Sequence, residues 1–429
     1  MMKNLYDILS ERGFVEQCTD ETGLRDLLNS PQTVYCGFDP TADSFHVGNL
    51  VPILGLAHFQ RQGHKVIAVL GGATGMIGDP SGRDSERSFL NSDKLESNLE
   101  AQSKQIAKLL DFAGDRFDTP AILANNLDWT KDVTLIDWLR GIGKQFSVNA
   151  MVAKESVRRR LEERDQGISY TEFSYMLLQA FDFLKISEKY DCHLQVGGGD
   201  QWGNITAGID LIRRHGGKQA YGITFPLLTT SSGQKFGKSE KGAVYIDPER
   251  TSVWDHYQFW VRTDDSDVIR HLKMFTFLPM EEIEELAVEV ENHPEKREAQ
   301  KRLAWAVTAL VHGEQQADKM KRGAEALYAG RLEELDSELI SQVFAEGPTA
   351  NIDGSRLSEG IPLIELAAEA GLVSSKGEAR RMFKQGAMYV NDQRVKEDYA
   401  ITVKDVLEAS GSIILRKGKK NYLVVQVKS

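Results

Sequence analysis

Two short segments carry residue types suited to binding a polyphosphate. The first, from His46 to Asn49 (HVGN), opens a predicted helix, where free backbone N–H groups and the positive end of the helix dipole attract anions. The second, from Lys235 to Ser239 (KFGKS), places two ammonium groups where charge developing in a transition state could be stabilised. Taken singly, the first segment is explained as a structural helix start and the second as a solvated surface turn.

A third group of polar residues shares one face of a predicted helix. Tyr175, Gln179 and Asp182 are spaced i, i+4 and i+7, which places them on the same side. A solvated helix face is the simpler explanation of such a pattern. The apolar residues around them, among them Phe173 and Phe181, instead favour an enclosed site for a ligand.

The elements expected to position these residues begin with a βαβ unit. Residues 33–39 form a predicted strand, a helix follows from about residue 48 to 62, and residues 65–70 form a second strand. This order implies a parallel sheet. The glycine-rich residues 71–79 follow at its carboxyl edge, where open α/β sheets bind ligands. A third strand is expected at 193–196, and two more at 225–228 and 243–246.

Two common nucleotide-binding motifs do not fit. A P-loop needs Gly five positions before the Gly-Lys-Ser that starts at Gly237, and Ser232 stands there. A dinucleotide fingerprint that includes Gly75 and Gly78 needs Gly where Ala73 stands. Neither NAD nor FAD is therefore predicted.

The predicted fold class is α/β, with a Rossmann-like parallel-sheet catalytic domain, a helical domain and a small C-terminal α+β domain. Residues 1–247 form the first, including a helical and aromatic insertion at about 130–190. Residues 248–330 form the second, because apolar residues recur there at helical spacing. Residues 331–355 read as a linker, and residues 356–429 form the third domain.

Composition and charge limit the compartment and the partners. The 429 residues carry a net charge of −11, so any RNA contact needs a local basic patch. Residues 356–429 provide one, since they total +4. The charged N-terminal helix does not suit a secretory signal, no apolar run is long enough for a membrane, and three distant cysteines indicate no disulfide framework. A cytoplasmic protein without a membrane partner is predicted.

Together, and on a βαβ scaffold, the first two segments resemble the HIGH and KMSKS motifs of class I aminoacyl-tRNA synthetases. Asn49 replaces the last His of the first motif, and Phe236 and Gly237 depart from the second. Tyr35, the GDPSGR sequence at 78–83 and the helix face described above resemble the bacterial tyrosyl-tRNA synthetases. This resemblance extends over nearly the whole chain.

The resemblance implies a tyrosine–tRNA ligase that forms tyrosyl-adenylate and pyrophosphate from L-tyrosine and ATP, then transfers tyrosyl to the terminal ribose of tRNA(Tyr). Tyr35 and Asp182 would bind the phenolic hydroxyl. The ammonium would contact Asp79, Tyr175 and Gln179, and the carboxylate would lie near Gln201. The implied ATP contacts are Cys36, Gly37, Asp39, His46, Gly48, Asn49, Asp200 and Lys238. The implied catalytic residues are Thr41, His46, Asn49, Arg83, Arg87, Lys235, Lys238 and Ser239.

Several of these assignments have alternatives. Arg83 and Arg87 could instead pair with Asp84 or Glu86 on the surface. Mg²⁺ is expected to arrive with ATP, because no dedicated cluster of metal ligands is visible, and no tightly bound cofactor is expected. The resemblance also implies a homodimer, formed through the insertion at about 130–190, and a helical domain on the anticodon side of the tRNA.

The C-terminal segment resembles an RNA-binding domain of the S-four type, named after a ribosomal small-subunit protein. A predicted basic helix there would direct Lys376, Arg380, Arg381 and Lys384 at RNA phosphates. A solvated helix face is the alternative, although the reversed local charge weighs against it.

Two other functions compete with the tyrosine enzyme. One is the related tryptophanyl enzyme, and the other is a non-catalytic RNA-binding protein of the same fold. Tyr35 with Asp182 favours a phenol over an indole, since an indole N–H donates a hydrogen bond but cannot accept one. The retained His46, Lys235 and Lys238 disfavour a protein without catalysis.

Overall fold

The computed structural model describes residues 3–79, 81, 91–154, 157–158, 168–229, 236–239, 242–345, 347–418 and 421–428, with the backbone alone for Lys238 and Ser239. Two compact units contain these residues. The first consists of residues 1–251 and 261–303, and the second of residues 252–260 and 304–429. The predicted helical domain at 248–330 is thus divided between the units. Helical periodicity reveals that a helix has a buried face, but not which core covers that face.

The first unit is organised around a six-stranded sheet with the order β1-β6-β5-β2-β3-β4. Its strands are β1 (Gln17–Cys18), β2 (Thr33–Phe38), β3 (Lys65–Leu70), β4 (Ile122–Asn125), β5 (Leu194–Gly198) and β6 (Tyr221–Phe225). All neighbours pair in parallel except β1, which pairs antiparallel with β6. The predicted α/β class with a parallel sheet is confirmed.

Helices flank this sheet, as βαβ connections require. They are α1 (Leu5–Glu11), α2 (Glu21–Leu27), α3 (Leu50–Arg61), α4 (Thr74–Ile77), α5 (Ser92–Leu109), α6 (Leu127–Thr130), α7 (Leu135–Gly141), α8 (Val148–Val152), α9 (Tyr170–Tyr190) and α10 (Trp202–Arg214). Short 3₁₀ turns occupy Val47–Asn49, Gly143–Gln145 and Gly199–Gln201. Almost every side chain from Leu50 to Gln60 is buried, so α3 is covered on all sides and passes through the core.

A small hairpin and further helices follow along the chain. The hairpin pairs β7 (Lys238–Ser239) with β8 (Gly242–Ala243). The strand predicted at 225–228 lies earlier, as β6, and the strand predicted at 243–246 is shorter and begins one residue earlier, as β8. The helices are α11 (Val253–Val261), α12 (Asp265–Phe275), α13 (Met280–Asn292), α14 (Glu298–His312) and α15 (Glu314–Ala329), with a 3₁₀ turn at Pro294–Lys296. Within the described ranges, no helix has the length and apolar character needed to cross a bilayer.

The second unit ends in an α+β domain. It contains α16 (Ser337–Val343), β9 (Thr349–Asp353), β10 (Ile361–Pro362), α17 (Leu363–Glu369), α18 (Lys376–Lys384), β11 (Met388–Val390), β12 (Gln393–Arg394), β13 (Ala400–Ile401), β14 (Ser412–Lys417) and β15 (Asn421–Lys428), with 3₁₀ turns at Leu332–Glu334, Gly354–Leu357 and Val403–Asp405. Five of these strands form a sheet with the order β12-β11-β14-β15-β9, and β10 pairs with β13.

The linker predicted at 331–355 is instead folded structure. Asp336 caps α16 by accepting a hydrogen bond from the backbone N–H of Leu339 at 2.8 Å, and this helix buries Leu339 and Ile340. Strand β9 pairs in parallel with β15. Acidic composition and turn residues are typical of a linker. The strand partner of β9 lies about 75 residues further along the chain, so no local sequence pattern reveals the pairing.

Candidate active site

A cavity of about 750 Å³ opens at the carboxyl ends of β2, β3, β5 and β6. Side chains from all four strand ends and from α9 converge there, as expected for an open parallel sheet. The predicted site residues that line it are Tyr35, Cys36, Gly37, Asp39, Thr41, His46, Gly48, Asn49, Asp79, Tyr175, Gln179, Asp182, Asp200 and Gln201. Residues separated by more than 160 positions in the sequence thus share one site.

Five predicted residues cannot be placed in this way. Arg83, Arg87 and Lys235 lie outside the described residues. Lys238 and Ser239 are described only as the backbone of β7.

Asp182 is a buried carboxylate at the inner end of the cavity, with 6% of its surface exposed. Its two oxygens accept hydrogen bonds from Asn126 Nδ2 at 2.9 Å and from Trp129 Nε1 at 2.7 Å. Burial raises the pKa of Asp182 to about 7, because desolvation disfavours the charged form more strongly than these two donors favour it. The carboxyl group is therefore poised to hold or release a proton near neutral pH.

The Tyr35 hydroxyl lies in the same cavity. Tyr35 is 1% exposed, its ring packs edge-on against Phe183 at 5.1 Å between centroids, and its oxygen has no hydrogen-bond partner among the described residues. Burial and the negative charge of Asp182 raise its pKa well above the usual value, so the phenol stays neutral. Buried hydroxyls are nearly always paired, so this one indicates a group supplied by a ligand.

A series of side-chain hydrogen bonds connects Asp182 with Asp39 and Tyr175 in the cavity. Asn126 Nδ2 also donates to Thr74 Oγ1 at 2.9 Å, and that hydroxyl donates to Asp39 Oδ1 at 2.9 Å. The Tyr175 hydroxyl donates to Asp39 Oδ2 at 3.0 Å. Burial raises the pKa of Tyr175 well above its usual value, as does the neighbouring charge of Asp39. These hydrogen bonds fix the orientations of the Tyr175 ring and of the Asp39 and Asp182 carboxylates.

A second polar cluster surrounds Asp79. Gln201 Nε2 donates to Asp79 Oδ2 at 2.6 Å and to Asp200 Oδ2 at 3.2 Å. Asn204 Nδ2 donates to Gln179 Oε1 at 2.9 Å and to Gln201 Oε1 at 3.2 Å. Two carboxylates and two amide oxygens thus converge on a small volume, which suits a cationic ligand group such as an ammonium.

The His46 segment forms a capped turn rather than a regular helix start. His46 Nδ1 accepts a hydrogen bond from the Gly48 N–H at 3.0 Å, and Asn49 Oδ1 accepts one from the His46 N–H at 3.0 Å. A Cβ atom at Gly48 would lie only 2.9 Å from the imidazole Cε1, so glycine permits this close cap. The turn is therefore held rigidly before α3 begins.

Backbone hydrogen bonds join this turn to the segment that carries the lysine motif. The Val47 N–H donates to the Val244 carbonyl at 2.9 Å, and the Val244 N–H donates to the Gly237 carbonyl at 2.9 Å. Phe236 fills an aromatic pocket and stacks on Phe275 at 5.3 Å between centroids. The two segments predicted from sequence to bind a polyphosphate therefore lie side by side.

The charge of the described lining is negative. Four aspartates line the cavity, at positions 39, 79, 182 and 200, whereas the described lining residues include no Lys or Arg. A triphosphate would be repelled unless cations from the remaining motif residues approached it.

Sequence reasoning missed three residues that hold the site together. Asn126 and Trp129 bind Asp182, and Thr74 links Asn126 to Asp39. One signal was available, since Asn126 directly follows β4 and parallel strands present their ends at the ligand edge. Nothing in the sequence marks Trp129 as a partner of Asp182.

The fold and the site agree with comparisons to known proteins. Residues 28–329 match the family of class I tRNA synthetases (W and Y), and residues 339–425 match the tyrosine–tRNA ligase SYY-like C-terminal domain. These two matches cover most of the chain and define it as a class I aminoacyl-tRNA synthetase.

Relatives over the full length specify the amino acid. The chain is 50% identical to the tyrosine–tRNA ligase of Opitutus terrae over 99% of both proteins, and 50% identical to that of Bacillus caldotenax over 98% of this chain and 99% of the relative. A crystal structure of the C-terminally truncated mitochondrial tyrosyl-tRNA synthetase of Aspergillus nidulans shares 33% identity and a TM-score of 0.69, covering 76% of this chain and 94% of that one. The chain belongs to the tyrosine–tRNA ligase family.

The protein therefore activates L-tyrosine with ATP, releasing pyrophosphate, and transfers the tyrosyl group to the terminal ribose of tRNA(Tyr). Of the alternatives considered from sequence, the tryptophanyl enzyme and the non-catalytic RNA-binding protein are set aside by these relatives.

The raised pKa of Asp182 predicts a pH-dependent stability. In the unfolded chain Asp182 has its ordinary pKa of 3.8, whereas in the folded protein its pKa is about 7, so the folded protein retains the proton to a higher pH. The free energy of unfolding should therefore fall between these values as pH rises, by up to roughly 1.4 kcal/mol per pH unit, and level off above pH 7. Urea unfolding of the wild type and of Asp182→Asn, compared at pH 5 to 8, measures this. Parallel profiles for the two proteins would show that Asp182 has an ordinary pKa.

Proposed function

We propose that the cavity described above is the site where L-tyrosine reacts with ATP, and that the predicted residues have the roles which the resemblance implies. One observation carries this proposal. The buried Tyr35 hydroxyl has no hydrogen-bond partner among the described residues, and it shares with Asp182 a cavity that also contains the His46 turn.

The phenolic hydroxyl of tyrosine fits between Tyr35 and Asp182. A phenol both donates and accepts a hydrogen bond, so it can donate to the Asp182 carboxylate while it accepts from the Tyr35 hydroxyl. Phenylalanine would leave both groups buried and unpaired, which penalises its binding. Asn126 and Trp129 hold the carboxylate in place for this contact.

The ammonium and carboxylate of the substrate would lie further toward the cavity mouth. Asp79, Tyr175 and Gln179 are placed to bind the ammonium, and Gln201 lies beside them near the substrate carboxylate. Positive charge is favoured here because the carboxylates of the lining are not neutralised by any Lys or Arg among the described lining residues.

ATP would occupy the part of the cavity next to the His46 turn. Asp200, Asn49 and Cys36 are proposed to face the ribose, while Gly37, Asp39 and Gly48 border the nucleotide. The pyrophosphate would be met by Thr41, His46, Arg83, Arg87, Lys235, Lys238 and Ser239. The tyrosine carboxylate attacks the α-phosphorus in line, and these groups stabilise the departing pyrophosphate by position and charge, without a covalent enzyme intermediate.

Mg²⁺ is proposed to arrive with ATP and to neutralise part of its charge. In the described part of the chain, no group of three or more His, Cys, Asp or Glu side chains is arranged to hold a metal ion, so the donors would come largely from the triphosphate. Pyrophosphate exchange that continues unchanged after chelation of Mg²⁺ would contradict this.

Removing the Tyr35 hydroxyl should weaken discrimination between tyrosine and phenylalanine. We expect Tyr35→Phe to lower kcat/KM for tyrosine in ATP–pyrophosphate exchange by about three- to tenfold, the effect of one lost hydrogen bond, and to change kcat/KM for phenylalanine much less. Tyr6→Phe is the matched control, since Tyr6 is buried, its hydroxyl contacts Cys18 and it does not line the cavity. If the ratio of kcat/KM for tyrosine to kcat/KM for phenylalanine is unaltered in Tyr35→Phe, the proposed contact is excluded.

Removing the Lys238 ammonium should slow the chemical step while tyrosine still binds. We expect Lys238→Ala to lower kcat of exchange at least about tenfold, because the developing charge on pyrophosphate loses a cation. The dissociation constant of tyrosine, measured by equilibrium dialysis, should not change. Lys104→Ala, which removes an exposed lysine paired with Glu100, serves as control. Weakened tyrosine binding with normal turnover would contradict the role of Lys238.

Helix α18 is proposed to contact tRNA phosphates. It buries Ala379 and Phe383 against the core of its domain, and Lys376, Arg380, Arg381 and Lys384 are exposed. Lys376 pairs with Glu365 and Arg380 with Glu397, so these two would exchange a carboxylate for a phosphate on binding.

The α18 proposal predicts a salt-dependent effect. We expect Arg381→Ala to weaken tRNA binding and to reduce the slope of log K against log salt by about one, while leaving tyrosine-dependent exchange unchanged. Lys404→Ala, at an exposed position of the same unit, should leave the slope unchanged. Equal slopes for Arg381→Ala and the wild type would argue against phosphate contact.

The insertion predicted at about 130–190 is proposed to form a homodimer interface. Leu135, Ile136, Leu139 and Val148 are between 47% and 70% exposed, and such clustered apolar side chains favour burial against a partner. Sedimentation as a monomer at micromolar concentration would contradict this.

A cytoplasmic location is also proposed, consistent with three free cysteines. Detection of the protein in a secreted fraction would exclude this location.

A further inference from the structure

Three buried amide side chains on α5 hold the loop between Asp39 and His46. Asn98 Nδ2 donates to the Pro40 carbonyl at 2.9 Å, and Gln102 Nε2 donates to the Ala42 carbonyl at 3.0 Å. Gln105 Nε2 donates to the Asp43 carbonyl at 3.2 Å. The spacings of four and three residues place all three amides on one face of the helix. This face is called the amide face below.

The loop relies on the amide face because few of its backbone groups pair within the loop itself. The Thr41 N–H bonds the Asp39 carbonyl, but the carbonyls of residues 40, 42 and 43 take their donors from α5. Gln105 Oε1 also accepts the Phe45 N–H at 2.9 Å. The path of the backbone from Asp39 to His46 is therefore set by α5.

Stability alone does not account for these amides. The side-chain oxygens of Asn98 and Gln102 are buried, and within the described residues neither has a hydrogen-bond partner. Burying an unpaired amide oxygen is unfavourable, so part of the stability that each donated hydrogen bond contributes is lost. The amides are better explained by the geometry that they impose on the loop.

The opposite side of the loop contacts the chain that leads away from the lysine motif. The Ile246 N–H donates to the Phe45 carbonyl at 2.9 Å, and the Asp247 N–H donates to Ser44 Oγ at 3.3 Å. Gln105 Nε2 also reaches Asp247 Oδ2 at 3.3 Å. Gln105 therefore contacts both the loop and the segment that follows β8.

We propose that Asn98, Gln102 and Gln105 are positioning residues for the adenylation step, which set the loop that carries Thr41 and His46 against the segment following the lysine motif. This rests on the proposed roles of Thr41 and His46 toward ATP. Among the hydrogen bonds of the described residues, none joins α5 to Tyr35 or Asp182, so the affinity of the proposed tyrosine pocket should be independent of the amide face.

Gln102→Met and Gln105→Met test the proposal with nearly isosteric side chains. We expect each to raise KM for ATP in pyrophosphate exchange about three- to tenfold, the effect of about one weakened hydrogen bond to ATP, with the dissociation constant of tyrosine unchanged. If Gln105→Met fails to fold, Gln102→Met and Asn98→Leu provide the same measurement.

Gln60→Met is the matched control. Gln60 is a buried glutamine of the same unit, and its side chain makes three hydrogen bonds to backbone atoms of Asp111 and Thr119, which do not line the cavity. It should lower the unfolding temperature at least as much as Gln102→Met but leave KM for ATP unchanged. Equal KM values for ATP in Gln102→Met, Gln60→Met and the wild type would overturn the proposal.

A double variant tests whether Gln102 acts through the loop. If it positions Thr41, the effects of Gln102→Met and Thr41→Ala on KM for ATP should combine to less than their product. Multiplicative effects would show that Gln102, which itself lines the cavity, contacts ATP independently, and would overturn the positioning role. If neither Thr41→Ala nor His46→Ala alters KM for ATP or kcat, the proposed ATP site is wrong. If these variants do alter KM or kcat while the amide variants behave as Gln60→Met does, only the positioning role of the amides is wrong.

Discussion

The central physical constraint in this molecule is the burial of the Asp182 carboxylate. Removing a carboxylate from water is unfavourable by several kcal/mol unless hydrogen-bond donors replace the solvent. Asn126 and Trp129 supply those donors from the end of β4 and from α6, and Thr74 extends the contact to Asp39 at the carboxyl end of β2. The sheet order, the insertion and α9 all have to be in place before this group can be satisfied. In the proposed site, substrate selection and fold are thus coupled through one side chain.

In the proposed site, the electrostatics of the cavity would divide the substrates between two regions. An amino-acid ammonium is attracted by the aspartates of the described lining, whereas a triphosphate is not. The cationic residues of the sequence motif are therefore proposed to neutralise the triphosphate, which the other described lining residues cannot do. Backbone hydrogen bonds between residues 47 and 244 and between 244 and 237 place that motif beside the His46 turn. The acidic pocket and the basic motif complement one another.

Much of this arrangement could be predicted from the sequence because it depends on local signals. The βαβ unit, the shared face of Tyr175, Gln179 and Asp182, and the glycine-rich strand ends follow from periodicity and from the edge rule of parallel sheets. Trp129 could not be predicted as a partner of Asp182, because it reaches Asp182 only through tertiary packing. The same holds for the amide face of α5, whose residues look like ordinary polar helix positions until the loop packed against them is seen.

Domain boundaries were the weakest part of the sequence interpretation, and β9 shows why. A short strand with turn residues around it resembles a linker, because its hydrogen-bond partner is remote in the chain. Residues 349–353 pair with residues 424–428, so the first strand of the C-terminal sheet is completed by its last. During synthesis on the ribosome, β9 emerges long before β15 and has no edge to join in the meantime. The sheet consequently gains β9 only after β15 has been synthesised, about 75 residues later.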